Sequence, residues 1–169
     1  IDMLEETYLK IISAKTASLF AAATKVGSIL SNKENKIKDA LEFYGKNLGL
    51  TFQIADDTLD YNSELKLFGK EIGNDFYEGK VTLPIILLYQ KYNEDEKIKL
   101  KELFKKKDRS VEEFKSILIM IKKYNIIFEC YRKAEHFINL ASNSLSIFNK
   151  SKEKDMLQGL TSFSLERTF

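Results

Sequence analysis

The 169-residue chain is long enough for one domain with a real core, and its composition of 44% hydrophobic and 31% charged residues is ordinary for a globular protein. A net charge of +2 implies no polyelectrolyte partner. Of the 27 basic residues only Arg109, Arg132 and Arg167 are arginines, so lysine runs such as Lys105–Lys107 read as solvated faces and nucleic acid is not expected as a partner. The lone Cys130 excludes an internal disulfide framework and fits a reducing compartment. No apolar run reaches the length of a membrane span, and no signal or transit peptide is visible. Because the chain opens at Ile1, already close to a helical pattern, a true N-terminus is expected upstream.

One proline, seven glycines and long 3.6-residue periodicities predict an all-α architecture. Leu4 to about Leu30 reads as one helix, with Tyr8, Ile11, Ile12, Leu19, Ala22 and Val26 as its apolar stripe. Lys15 falls in the centre of that stripe and Thr16 at its edge, so Lys15 should either snorkel to solvent or meet an anion. A core-edge lysine is the plainer interpretation of that position. Ser31–Asn35 is a short polar turn, and Lys36 to Tyr61 carries the next helix. Gly45 and Gly49 lie inside it at a spacing of four, which predicts close helix–helix approach. Asn62–Val81 has no sustained period and reads as a loop with a short helical turn, carrying Lys70, Asp75 and Lys80. Thr82 is placed as an N-cap with Pro84 in the first turn of a buried helix to about Tyr92. Asn93–Ser110 is a charged helix and turn. Val111, Phe114, Ile117, Leu118 and Ile121 mark an amphipathic helix, and Ile127, Tyr131, Ala134, Ile138, Ala141, Leu145 and Phe148 form a packing seam. Cys130 falls at the seam's edge as a core residue, and His136 opposite it as an exposed one without a catalytic role. Met156, Leu160 and Phe163 share a face with Arg167 on a closing helix. Neither a repeat nor a linker interrupts the chain.

The chemistry concentrates in Leu48–Tyr61. On a helix, Gln53, Asp56, Asp57 and Asp60 fall within an arc about 100° wide, surrounded by Leu48, Leu50, Phe52, Ile54, Ala55 and Leu59. Carboxylates among apolar residues need a cation or a metal, because burying a lone one is costly. Hard oxygen donors without Cys or His favour Mg²⁺, whose shell is completed by water and phosphate oxygens. A solvated acidic face is the alternative, and the apolar flanks argue against it. An acidic face followed by a glycine-rich loop with Lys70 and Lys80 suggests a metal–diphosphate site.

The stretch Gly49-Leu-Thr-Phe-Gln-Ile-Ala-Asp-Asp-Thr-Leu-Asp-Tyr61 resembles the second aspartate-rich motif of the trans-isoprenyl diphosphate synthases, the polyprenyl synthetases. Phe68-Gly69-Lys70, Gly73-Asn74-Asp75-Phe76 and Glu78-Gly79-Lys80-Val81-Thr82-Leu83-Pro84 resemble the loop that follows it, and Lys15-Thr16 the upstream Lys-Thr element. The tail through Leu160 and Arg167 is similar to the family's C-terminus, so the resemblance covers the whole chain.

The resemblance implies an isoprenoid-synthase helical bundle, of which residues 1–169 would be the C-terminal half. It implies head-to-tail condensation of isopentenyl diphosphate onto an allylic diphosphate. In that reaction Mg²⁺ promotes ionisation of the allylic substrate, the alkene attacks the carbocation and the released diphosphate takes the proton. Carried over residue by residue, Asp56 and Asp60 would bind Mg²⁺ with Asp57 beside them. Lys15, Lys70 and Lys80 would hold the allylic diphosphate. Thr16 and Gln53 would stabilise the developing cation, and Phe52 would line the pocket. Asp75 would position Lys70, and Arg167 would face the site or a partner subunit. The wording Gly-Asn-Asp-Phe-x-Glu-Gly-Lys-Val-Thr-Leu-Pro resembles long-chain members that make quinone side chains; a shorter-chain geranylgeranyl or farnesyl synthase is the alternative.

The family's first aspartate-rich motif has no counterpart here, since Asp2 and Asp39 lack a second aspartate at suitable spacing. The fragment alone is therefore expected not to turn over. Two other classes compete with the enzyme: a non-catalytic partner subunit of a heteromeric synthase, and a plain helical interaction domain. A homodimer or heterodimer in the cytosol or mitochondrial matrix is implied by the resemblance.

Overall fold

A computed structural model describes residues 4–62 and 72–166. Among these residues all regular structure is helical, as the periodicities require. The order is α1 (Glu5–Ile12), a π-helical segment (Ser13–Ala17), α2 (Ser18–Leu30), α3 (Asn35–Leu59), α4 (Asn74–Glu78), α5 (Leu83–Lys91), α6 (Glu94–Lys105), α7 (Val111–Lys123) and α8 (Ile126–Ser144). A 3₁₀ turn (Leu145–Ile147) and α9 (Lys152–Glu166) follow. No helix among the described residues is long and apolar enough to cross a membrane. The chain divides into two compact units, one of Ile1–Tyr8 with Asp56–Cys130, the other of Leu9–Ala55 with Tyr131–Phe169.

In the second of these units, Tyr44, Leu48, Ile138, Ala141 and Leu145 form a buried cluster, with Phe20, Leu41, Phe148 and Leu157 packed against it. The buried Tyr44 hydroxyl donates to the Leu157 carbonyl at 2.8 Å, and burial pushes its pKa up to about 12. The two helical glycines behave as their spacing predicts. A Cβ on Gly49 would lie 2.6 Å from Ala17 Cα, and one on Gly45 would lie 2.8 Å from the Phe20 carbonyl carbon. Thr24 Oγ1 donates to the Leu41 carbonyl at 2.6 Å beside that crossing.

The expected stripe Leu19–Ala22–Val26 is not the buried one. Leu19 is 73% exposed and Val26 49%, while Ala17, Ala21 and Ser28 are buried. The π segment is the cause: one extra residue in a turn advances the helical phase by about 100°, so the face that buries Tyr8 and Ile12 continues one position later. The same shift carries Lys15 out of the stripe and leaves it exposed.

In the other unit the core is aromatic. Phe76 packs on Phe114 (ring centroids 5.2 Å apart) and edge-on against Phe104 (5.8 Å). Arg109 lies over Phe104 and donates to the carbonyls of Phe104 (2.7 Å) and Tyr77 (3.2 Å). The helix starts are well specified: Asn93 with Glu96 and Ser110 with Glu113 each form a reciprocal capping box. Thr82 sits at the N-cap of α5 with Pro84 in the first turn, as the sequence suggests, but its side chain makes no capping bond. Cys130 is fully buried and His136 exposed, as expected, while the three apolar residues assigned to the closing helix, Met156, Leu160 and Phe163, all face solvent.

Candidate functional site

The acidic stretch lies at the end of α3, as predicted, and the structure shows how buried carboxylates are tolerated there. Asp57 is 5% exposed, and the Tyr8 hydroxyl donates to its Oδ2 at 2.6 Å. Asp60 is 7% exposed; Oδ1 accepts from the backbone N–H groups of Gly73 and Asn74 (both 3.1 Å) and Oδ2 from Asp75 N–H (2.8 Å). Burial raises the Asp60 carboxyl above its ordinary range, and the three N–H groups act against that rise. Asp56 is the half-exposed member. Among the described residues no group of three or more His, Cys, Asp or Glu is placed to hold a metal ion by itself. Helical phase fixes where the Cα–Cβ bonds point, whereas Asp57 and Asp60 turn toward donors from distant parts of the chain.

Tyr8 is the residue that sequence reasoning placed only in an apolar stripe. The available signal was its hydroxyl, which a buried tyrosine usually pairs. Burial, reinforced by the Asp57 charge, holds that hydroxyl far above its ordinary pKa, so it stays a donor.

Thr16 and Gln53, assigned a shared role, do meet: Thr16 Oγ1 donates to Gln53 Oε1 at 2.7 Å. The π segment carries both Lys15 and Thr16, and such segments recur at functional sites. Phe52 is half-buried, its ring tilted against Phe20 at 5.6 Å. Lys80 is engaged with acids of the preceding helix α4, at 2.6 Å from Glu78 and 3.1 Å from Asp75, and both partners raise its pKa. Asp75 therefore pairs with Lys80. Lys70 and Arg167 lie outside the described residues.

The comparisons with known proteins decide the kind of protein. The polyprenyl synthetase family model matches residues 1–121. The chain belongs to the polyprenyl synthetase family. It is 32% identical over 167 residues to the short chain isoprenyl diphosphate synthase of Methanothermobacter thermautotrophicus, covering 99% of this chain and 51% of that protein. Its fold superposes on the decaprenyl diphosphate synthase of Rhodobacter capsulatus with a TM-score of 0.92 at 32% identity, over 99% of this chain and 52% of that one. A polyprenyl synthase from Caulobacter crescentus, in complex with calcium and isoprenyl diphosphate, matches at a TM-score of 0.91 and 32% identity, over 99% of this chain and 51% of that one. The chain thus spans about half the length of the relatives it matches. Membership of the polyprenyl synthetases and the all-α fold agree with the reading of the motifs. Product length divides these relatives, one being short-chain and another a decaprenyl synthase.

Proposed function

We propose that this chain is the C-terminal half of a trans-prenyltransferase that joins isopentenyl diphosphate to an allylic diphosphate. The observation that carries the reading is the acidic stretch itself. Asp57 is kept buried by a dedicated tyrosine donor and Asp60 by three backbone donors, an expensive arrangement for a packing helix. Among the relatives, the Caulobacter crescentus synthase is described with a divalent cation and an isoprenyl diphosphate.

The donor set suits Mg²⁺, which needs only one or two carboxylates when phosphate oxygens and water complete its shell. Asp56, half-exposed on α3, is the residue we place on the metal, with Asp57 beside it oriented by Tyr8. Bound there, the metal would neutralise charge that develops on a leaving diphosphate. Lys15 is exposed and free to reach an anion; Lys80 would exchange its bonds to Glu78 and Asp75 for phosphate oxygens. Lys70 would be a further diphosphate ligand. The Thr16–Gln53 pair presents oxygen dipoles to a developing allylic cation, and the apolar Phe52 lines the prenyl chain's path. We assign a long-chain product, a quinone side-chain precursor, on the wording of residues 73–84; a geranylgeranyl or farnesyl product is the competing outcome.

Labelled isopentenyl diphosphate, an allylic primer and Mg²⁺ test this directly, with products resolved by length, for the 169-residue chain alone and together with the upstream half of the same open reading frame. Long labelled products that need the upstream half support the proposal. In that complete system Asp56→Ala should lower turnover at least about 100-fold with helix content intact. Normal turnover by Asp56→Ala would remove this residue from the site, and no product under any condition would favour a non-catalytic partner subunit.

A further inference from the structure

We propose that Asp60 is a positioning residue that clasps the start of α4 to the end of α3, and that it is not a metal ligand. A carboxylate offers about four lone-pair directions, and here three backbone N–H groups take three of them: Gly73 and Asn74 on Oδ1, Asp75 on Oδ2. The Asp60 carbonyl accepts a further bond from Gly73 N–H at 2.9 Å, so backbone and side chain hold the same junction. Gly73, the N-cap of α4, brings no side-chain cap of its own. Its φ of 91° is left-handed, and a Cβ there would come within 2.7 Å of Phe114 Cζ. The junction is thus wedged against the aromatic core and tied to one carboxylate. A cation on Asp60 would have to displace the Asn74 and Asp75 N–H donors from the carboxylate, while Gly73 N–H would keep only its bond to the Asp60 carbonyl.

What the clasp fixes is the short segment that follows. Asp75, whose N–H is held by Asp60, also accepts Lys80 N–H on its carbonyl (2.9 Å) and the Lys80 ammonium on its carboxylate (3.1 Å). Asp60 therefore sets where the Lys80 ammonium stands. That last step rests on the prenyltransferase reading; the clasp does not.

Two measurements on the wild-type chain, Asp60→Ala, Asp60→Asn and Asp56→Ala test this. The first is hydrogen exchange at the Asn74 and Asp75 amides by NMR. The second is inorganic diphosphate affinity by calorimetry with and without MgCl₂. In Asp60→Ala the two amides should exchange about tenfold faster or more, the scale of losing a bond to a charged acceptor. Metal-free diphosphate affinity should drop about fivefold, while the gain on adding Mg²⁺ stays within about twofold of wild type. Asp60→Asn keeps one acceptor oxygen for Gly73 and Asn74 and should recover part of the protection; it carries the comparison if Asp60→Ala does not fold. Unchanged amide exchange overturns the clasp, and so does loss of the Mg²⁺ gain in the Asp60 variants as in Asp56→Ala. If wild type binds no diphosphate with or without Mg²⁺, the prenyltransferase reading fails and the exchange measurement alone decides the clasp.

Discussion

At the scale of single residues, Tyr8 and Asp57 form the pair with the largest expected effect. A buried hydroxyl bonded to a carboxylate contributes about 1.5–3 kcal/mol, and its removal leaves a buried charge short of a donor. Tyr8→Phe should lower unfolding free energy by about that much in a urea titration at pH 7; an unchanged midpoint would show that Asp57 does not need the hydroxyl. The residue types of the site were legible in the sequence, because three aspartates among leucines and phenylalanines demand compensation. Their partners were not. The donor to Asp57 lies 49 positions away and those to Asp60 lie 13 to 15 positions away, and no periodicity reports such pairings.

Among elements, α3 was readable almost to its ends because its glycine spacing and apolar flanks agree with one another. The α1–α2 stripe was misjudged at Ile11, which is exposed, and again beyond Ile12, since a π turn leaves no trace in residue type and every later position inherits the phase error. The close approach of α3 yields a sharp expectation. Gly49→Ala adds a methyl group 2.6 Å from the Ala17 backbone. Its helix-propensity gain of about 0.5–1 kcal/mol should be outweighed by a steric cost of about 1–3 kcal/mol. Gly159→Ala, where nothing lies within 4 Å of the added Cβ, is the matched control and should gain stability. Equal behaviour of the two variants in chemical denaturation would contradict the crossing. At the start of α7, Ser110→Ala should cost about 1 kcal/mol through loss of the bond accepted from Glu113 N–H.

On the scale of the whole molecule, buried phenols make alkali the vulnerable direction. Burial pushes Tyr44 and Tyr92 up to about 12, and holds Tyr8 and Tyr61 well above their ordinary range. An unfolded chain releases these protons near pH 10 while the folded one retains them, so the unfolded state binds fewer protons and stability falls as pH rises above about 10. Each such tyrosine contributes a slope of at most about 1.4 kcal/mol per pH unit. Thermal midpoints should therefore hold steady up to about pH 10 and fall steeply toward pH 12, less steeply in Tyr44→Phe. Phenolate absorbance that rises for all eight tyrosines near pH 10 without unfolding would refute this.

The single cysteine gives the fold a built-in clock. Cys130 is the sole thiol and is fully buried, so a thiol reagent can modify it only after that part of the molecule opens. Under conditions where reclosing outruns modification, the modification rate divided by that of a free thiol gives the opening equilibrium constant. No introduced label and no spectroscopic change are needed. On the proposed prenyltransferase reading, added Mg²⁺ and diphosphate should slow this clock, which would turn an unmodified preparation into its own assay for occupancy.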